Sequence, residues 1–154
     1  MALLTSLYLG SRTVYAAVGT PTGSGARVVA AAQTELPEGC LINGVITNET
    51  DLTAALKEFF TANKLPMNRV ALIAGGSQFM HRILSLPAMS EKKRMAVLSH
   101  ELASGGAEVK APLDDYMLLS RDVKTRVDTV LATRVEQSVI AGYDALAKAV
   151  GFKL

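Results

Sequence analysis

The sequence predicts an α/β fold, on three observations. Thr13 to Thr20 alternates like a half-buried strand, and Arg27 to Glu35 reads as a further strand. Leu52, Ala55, Leu56, Phe59 and Phe60 recur at helical spacing and make one continuous apolar face. Arg69 to Ala74 (RVALIA) is a short apolar run that suits a buried strand. Together they describe a sheet that carries a helix.

Taken in order, Leu7 to Val18 (LYLGSRTVYAAV) reads as strand, tight turn at Gly10-Ser11-Arg12, and strand. TPTGSG, residues 20–25, is a turn cluster, and Arg27 to Glu35 completes an antiparallel meander. LPEGCLINGVITN, residues 36–48, is a connection with short strand character at Cys40 to Ile42 and Val45 to Thr47. Asn48 is a helix N-cap, and Glu49 and Asp51 follow where the helix dipole favours anions. Asn63 and Pro66 end that helix. Gly75-Gly76 stops the following strand, and Met80 to Leu86 resumes an extended pattern.

LPAMS, residues 86–90, reads as a boundary, because Pro87 favours an extended residue before it and Ser90 suits an N-cap. Met95, Leu98 and Leu102 mark the buried stripe of the next helix, which Gly105-Gly106 stops. Asp115 to Val123 and Arg126 to Arg134 are strands about a charged turn, RDVKTR. A final helix runs from Val135 to Val150, with Val139, Tyr143, Leu146 and Val150 on one face and Gly151 at its end.

Composition narrows the function. The 154 residues hold 16 basic and 14 acidic side chains and 5% aromatics. That mixture has no basic stripe for nucleic acid. The single cysteine, Cys40, permits no intrachain disulfide and reads as a small, partly buried hydrophobe rather than a nucleophile. No run is long enough to span a bilayer, and the first residues lack the charged start and apolar stretch of a signal peptide. A cytoplasmic location follows as the expectation.

Catalytic motifs fail on inspection. His100-Glu101 is followed by Ser104 where a zinc-protease helix needs its second histidine. Gly23-Ser24-Gly25 meets Val28 where a dinucleotide loop needs a third glycine. Ser77 meets Phe79 at the last position of a nucleophile elbow. Asp114 and Asp115 are adjacent, so on a strand they point to opposite faces and read as solvated charges. No catalytic residue, metal ligand or cofactor ligand is assigned.

Four stretches, in order, resemble the type IV pilus assembly PilM family of actin-like proteins. LPEGCLINGVITNETDLTAALKEFFTANKL resembles its loop-and-helix segment, and RILSLPAMSEKK its strand-to-helix crossing. LDDYMLL and VLATRVEQSVIAGYDALAKAVGFKL are similar to later segments of the same family. The resemblance implies a partial actin-like ATPase fold. Residues 1–86 would form most of subdomain 1A, a mixed sheet with helices, and residues 87–154 the small α+β insert 1C shared with FtsA relatives. The chain would then match an N-terminal half, either a piece of a longer protein or a short paralogue.

The resemblance also implies a function. PilM binds a short cytoplasmic peptide of the inner-membrane protein PilN, in a groove between 1A and 1C. Leu86, Pro87 and Met89, at the expected crossing, are the partner-binding candidates; plain linker packing is the alternative for them. A homo-oligomer is expected, since a half-domain leaves sheet surface uncovered. Complete family members hold ATP and Mg²⁺ with a phosphate loop that carries an aspartate and a later lysine or similar polar residue. Tyr8 and Tyr15 stand at those positions here. A phenol is uncharged near neutral pH and is a poor ligand for Mg²⁺. The expectation is a degenerate phosphate loop, no bound cofactor and no enzyme activity. Arg12 reads as a solvated hairpin residue, with a phosphate contact as its alternative. Two other readings stay open: half of an actin-fold ATPase that needs its second domain, and an FtsA-like cell-division tether.

Overall fold

The computed structural model describes residues 3–105 and 108–154, and they form two compact units. The first comprises residues up to Ser77 together with Ala141–Leu154; the second is Gln78–Ile140. The mixed α/β class expected from the sequence is what the structure shows.

In the first unit, β1 (Leu4–Leu9), β2 (Thr13–Thr22), β3 (Gly25–Glu35) and β6 (Val70–Ala74) make a sheet of order β3-β2-β1-β6. The meander pairs are antiparallel, and β6 runs parallel to β1. Alternation decides the faces. Thr5, Leu7 and Leu9 of β1, and Val14, Ala16 and Val18 of β2, are buried on one side. The Thr5 hydroxyl, fully buried there, donates to the Pro66 carbonyl at 2.8 Å, so it carries no desolvation penalty.

Between the sheet strands lie the short β4 (Leu41–Ile42) and β5 (Val45–Ile46), joined by Asn43-Gly44. Both turn residues have positive φ, at 51° and 83°, as a two-residue hairpin requires. Gly44 and Gly76 also let two backbones meet. A Cβ on Gly76 would lie 2.4 Å from the Asn43 carbonyl oxygen, so only glycine fits.

Helix α1 (Glu49–Ala62) starts at the expected cap: the Asn48 side chain accepts from the Asp51 amide at 3.1 Å. Its stripe Leu52, Leu56, Phe59 and Phe60 is buried. Helix α3 (Gln137–Val150) contributes Tyr143, Leu146, Ala147 and Val150 to the same unit's core. Beyond it, Phe152 meets Phe60 with ring centroids 4.6 Å apart, and Val70 donates its amide to the Lys153 carbonyl.

The second unit is β7 (Met80–Pro87), α2 (Glu91–Ala103), β8 (Pro112–Asp122) and β9 (Val127–Glu136), with sheet order β7-β9-β8. Leu86, Leu98, Leu102, Val130 and Ala132 form its core. Gly106, expected to help stop α2, lies outside the described residues.

Several expectations change. The turn at residues 20–25 shrinks to Gly23-Ser24, because β2 runs on to Thr22 and Pro21 pairs with Ala26. The division between units falls at Ser77/Gln78 and Ile140/Ala141 instead of at 86/87. The reason is pairing: β7 bonds along its whole length to β9, from Met80↔Arg134 to Pro87↔Val127. Ser90 occupies the N-cap position of α2 but makes no side-chain capping bond. Asp114 is no solvated charge, since its carboxylate accepts two bonds from Arg134, at 2.7 and 2.8 Å, in a nearly buried pair.

Candidate functional site

The first hairpin was the place to look for a phosphate cradle. Its turn is tight: the Gly10 amide donates to the Thr13 carbonyl at 3.0 Å, and a Cβ on Gly10 would crowd that oxygen at 2.9 Å. The Arg12 carbonyl accepts from the Leu36 amide, which ties the loop to the end of β3. The Arg12 guanidinium reaches Glu38 at 3.4 Å, with both side chains more than four-fifths exposed. Such a pair contributes little stability, and its carboxylate offsets the one cation of the loop.

Tyr8 and Tyr15 lie directly opposite each other in the β1–β2 register, with ring centroids 6.3 Å apart and a 34° tilt. Ile73 is the parallel partner of Tyr8 on the other side. The three are 43%, 48% and 49% exposed. With Ser6, Ala17, Ala31 and Gln33 they line an open hollow of about 630 Å³ on the uncovered face of the sheet. None of these residues is charged. The hollow is lined by the Tyr8 and Tyr15 phenols, the Ser6 side chain, the Gln33 amide and apolar walls. A Mg²⁺-bound phosphate needs anionic oxygen ligands on the metal, and the residues here do not fit that group. Among the described residues, no three His, Cys, Asp or Glu side chains come together as a metal site.

The partner-binding candidates do not share one environment. Leu86 is 7% exposed and belongs to the core of the second unit. Pro87 ends β7 and is exposed. Met89 packs partly buried against that core, and its carbonyl accepts from Arg94 Nη2 at 3.3 Å. The structure thus leaves Pro87 and one side of Met89 open to a partner, while the Leu86 side chain is occupied.

Sequence reasoning missed a polar cluster beside Met89. Asp128 is fully buried and accepts from Arg94 at 2.6 Å and from Arg121 at 2.7 and 3.0 Å. Arg94 also donates to the Tyr116 hydroxyl at 2.9 Å, with its guanidinium carbon 5.3 Å from that ring's centre. The hydrogen bonds from Arg121, aided by both positive charges, hold the Asp128 carboxyl below the usual carboxylate range against the opposing effect of burial. A signal was present: Arg94 stands four residues before Leu98 and eight before Leu102, on the stripe that had to be buried.

No family model matches the sequence, and no curated protein is similar to it. Among solved structures, this chain is similar to one described as "PilM-PilN type IV pilus biogenesis complex". The TM-score is 0.81 at 18% identity, over 98% of this chain and 45% of that one. The likeness shows the fold: the mixed α/β arrangement is of the PilM, actin-like kind. The chain spans less than half the length of the protein that it matches.

Proposed function

We propose that this chain is a PilM-like scaffold of a type IV pilus or related secretion or competence apparatus, and that it binds a short peptide of a PilN-like inner-membrane protein. One observation carries the reading: the fold likeness to the PilM–PilN structure runs over nearly the whole chain, 98% of it. Four sequence stretches resemble PilM in the same order. In this reading the chain works at the cytoplasmic face of the inner membrane and is held there by its partner. No helix among the described residues is long and apolar enough to cross a membrane.

Binding rather than catalysis is the role proposed. The phosphate-loop positions carry Tyr8 and Tyr15, and the hollow beside them has no charged wall. Exposed Pro87 and half-open Met89 are the side chains proposed to meet the peptide. An extended peptide gains main-chain hydrogen bonds and buries alternate side chains on such a surface.

The test is capture of a defined partner. The tagged chain is expected to retain detergent-solubilised PilN from the same organism, and to lose it when the cytoplasmic N-terminal segment of PilN is deleted. Equal retention of the deleted form would overturn the proposal.

A further inference from the structure

Arg94, Arg121 and Arg126 converge on a cavity of about 420 Å³ in the second unit, walled also by Ala88, Met89, Asp122 and Val123. Its size falls within the range of roughly 300–1,000 Å³ common to ligand pockets. Asp128 is buried under Arg94 and Arg121, and Asp122, which accepts through Oδ1 from the amides of Lys124 and Thr125, is the one carboxylate of the wall against three guanidinium groups. Arg126 is exposed, in a positive-φ turn position, and Arg121 keeps 53% of its side chain in solvent. Arg94 is only 6% exposed, and its Nε has no hydrogen-bond partner among the described residues. The cavity also lies beside the start of α2, whose N-cap Ser90 leaves the first-turn amides without a side-chain acceptor. Glu91 in that turn is the one opposing charge on the helix start, and Lys92 and Lys93 follow it.

We propose that this arginine-walled cavity is a docking site for an acidic peptide segment, one that places a carboxylate among the three guanidinium groups and an apolar side chain against Met89 and Val123. Charge complementarity points to the carboxylate. Val123, 80% exposed, and Met89 supply the apolar contact. Asp128 holds Arg94 and Arg121 in place before any ligand arrives, so little side-chain entropy is lost on binding. A planar guanidinium also suits bidentate carboxylate recognition. A concave wall favours a peptide over an anionic lipid surface. A flat headgroup layer reaches exposed Arg126 and Lys124, but Arg94 lies 94% buried in the wall. The site is confined to the second unit and shares Met89 with the surface proposed for the PilN-like peptide, but its three guanidinium groups are a separate observation.

The experiment is a nuclear magnetic resonance titration of the ¹⁵N-labelled chain. The probe is acetyl-Leu-Glu-Leu-Glu-amide, and acetyl-Leu-Gln-Leu-Gln-amide is the neutral control. Saturable shifts are expected at the Met89 amide and at the Nε–H groups of Arg94 and Arg121, with the Glu peptide alone. Arg126→Gln removes one exposed guanidinium without touching the Asp128 cluster, and is expected to weaken binding about tenfold. No shift with the Glu peptide, equal shifts with both peptides, or unchanged affinity in Arg126→Gln overturns the proposal. So does sedimentation with phosphatidylglycerol vesicles that Arg126→Gln abolishes while the peptide produces no shift.

Discussion

Tyr8 faces Tyr15 across the first hairpin, with ring centroids 6.3 Å apart and a 34° tilt. The pair bridges β1 and β2 on the exposed face of the sheet. Cross-strand aromatic pairs contribute roughly 0.2–1 kcal/mol. A double-mutant cycle of Tyr8→Ala and Tyr15→Ala, read by urea unfolding, is expected to show a coupling of that order. A coupling of zero would mean that the two rings do not support each other.

Phe60 joins α1 to the chain's last residues through Phe152, 4.6 Å away between ring centroids. Phe60 is 1% exposed, so truncation leaves a cavity. Phe60→Ala is expected to cost about 3–5 kcal/mol. Thermal unfolding should fall by several degrees at least. An unchanged midpoint would contradict the packing described.

Acid should weaken the second unit. Asp114, hydrogen-bonded by Arg134, and Asp128, hydrogen-bonded by Arg121, both have carboxyls held below their ordinary value of 3.8. A carboxyl that titrates lower in the folded state stabilises the fold above its unfolded pKa. That contribution is lost as pH falls through the folded pKa. Unfolding free energy should therefore be level from neutral pH down to about 5 and decline below about 4. Asp114→Asn should lower stability at neutral pH and make the acid decline shallower. An equally steep decline in that variant would remove Asp114 from the account.

The uncovered face of the first sheet is neutral at its centre: Tyr8, Tyr15, Ala17, Ala31 and Ile73 carry no charge. Apolar patches of more than a few hundred Å² are uncommon on monomers. Two copies can meet there without like-charge repulsion. Sedimentation at high concentration is expected to give species heavier than the 16.3 kDa chain. Ile73→Lys should return them to monomer, because a desolvated lysine opposes the contact. A monomer at every concentration would show that this face does not self-associate.

Much of the fold was legible where the signals are local. Asn48 and the Leu52–Phe60 stripe specified α1 because cap and periodicity agree within one helix. The edge of the second unit was not legible. Pro87 ends a strand equally well at a sheet border or a linker, and the pairing that decides, Met80 with Arg134, spans the unit. The hairpin was legible from its Gly10-Ser11-Arg12 turn, but strand alternation does not say which residues face each other across it, and the Tyr8–Tyr15 pair comes from the register. The Arg94–Asp128–Arg121 cluster was not read from the sequence: the expected stripe began at Met95, one residue past the buried Arg94, and helical spacing does not say which carboxylate would meet it.

The central claim, a PilM-like binding scaffold without a nucleotide site of its own, is tested most directly by paired calorimetry on this chain. One cell receives the cytoplasmic N-terminal peptide of PilN from the same organism, the other Mg-ATP. The account predicts saturable heat with the peptide, at an affinity on the order of micromolar, and none with Mg-ATP, including in Tyr8→Asp. Saturable heat with Mg-ATP and none with the peptide at millimolar concentration would contradict it.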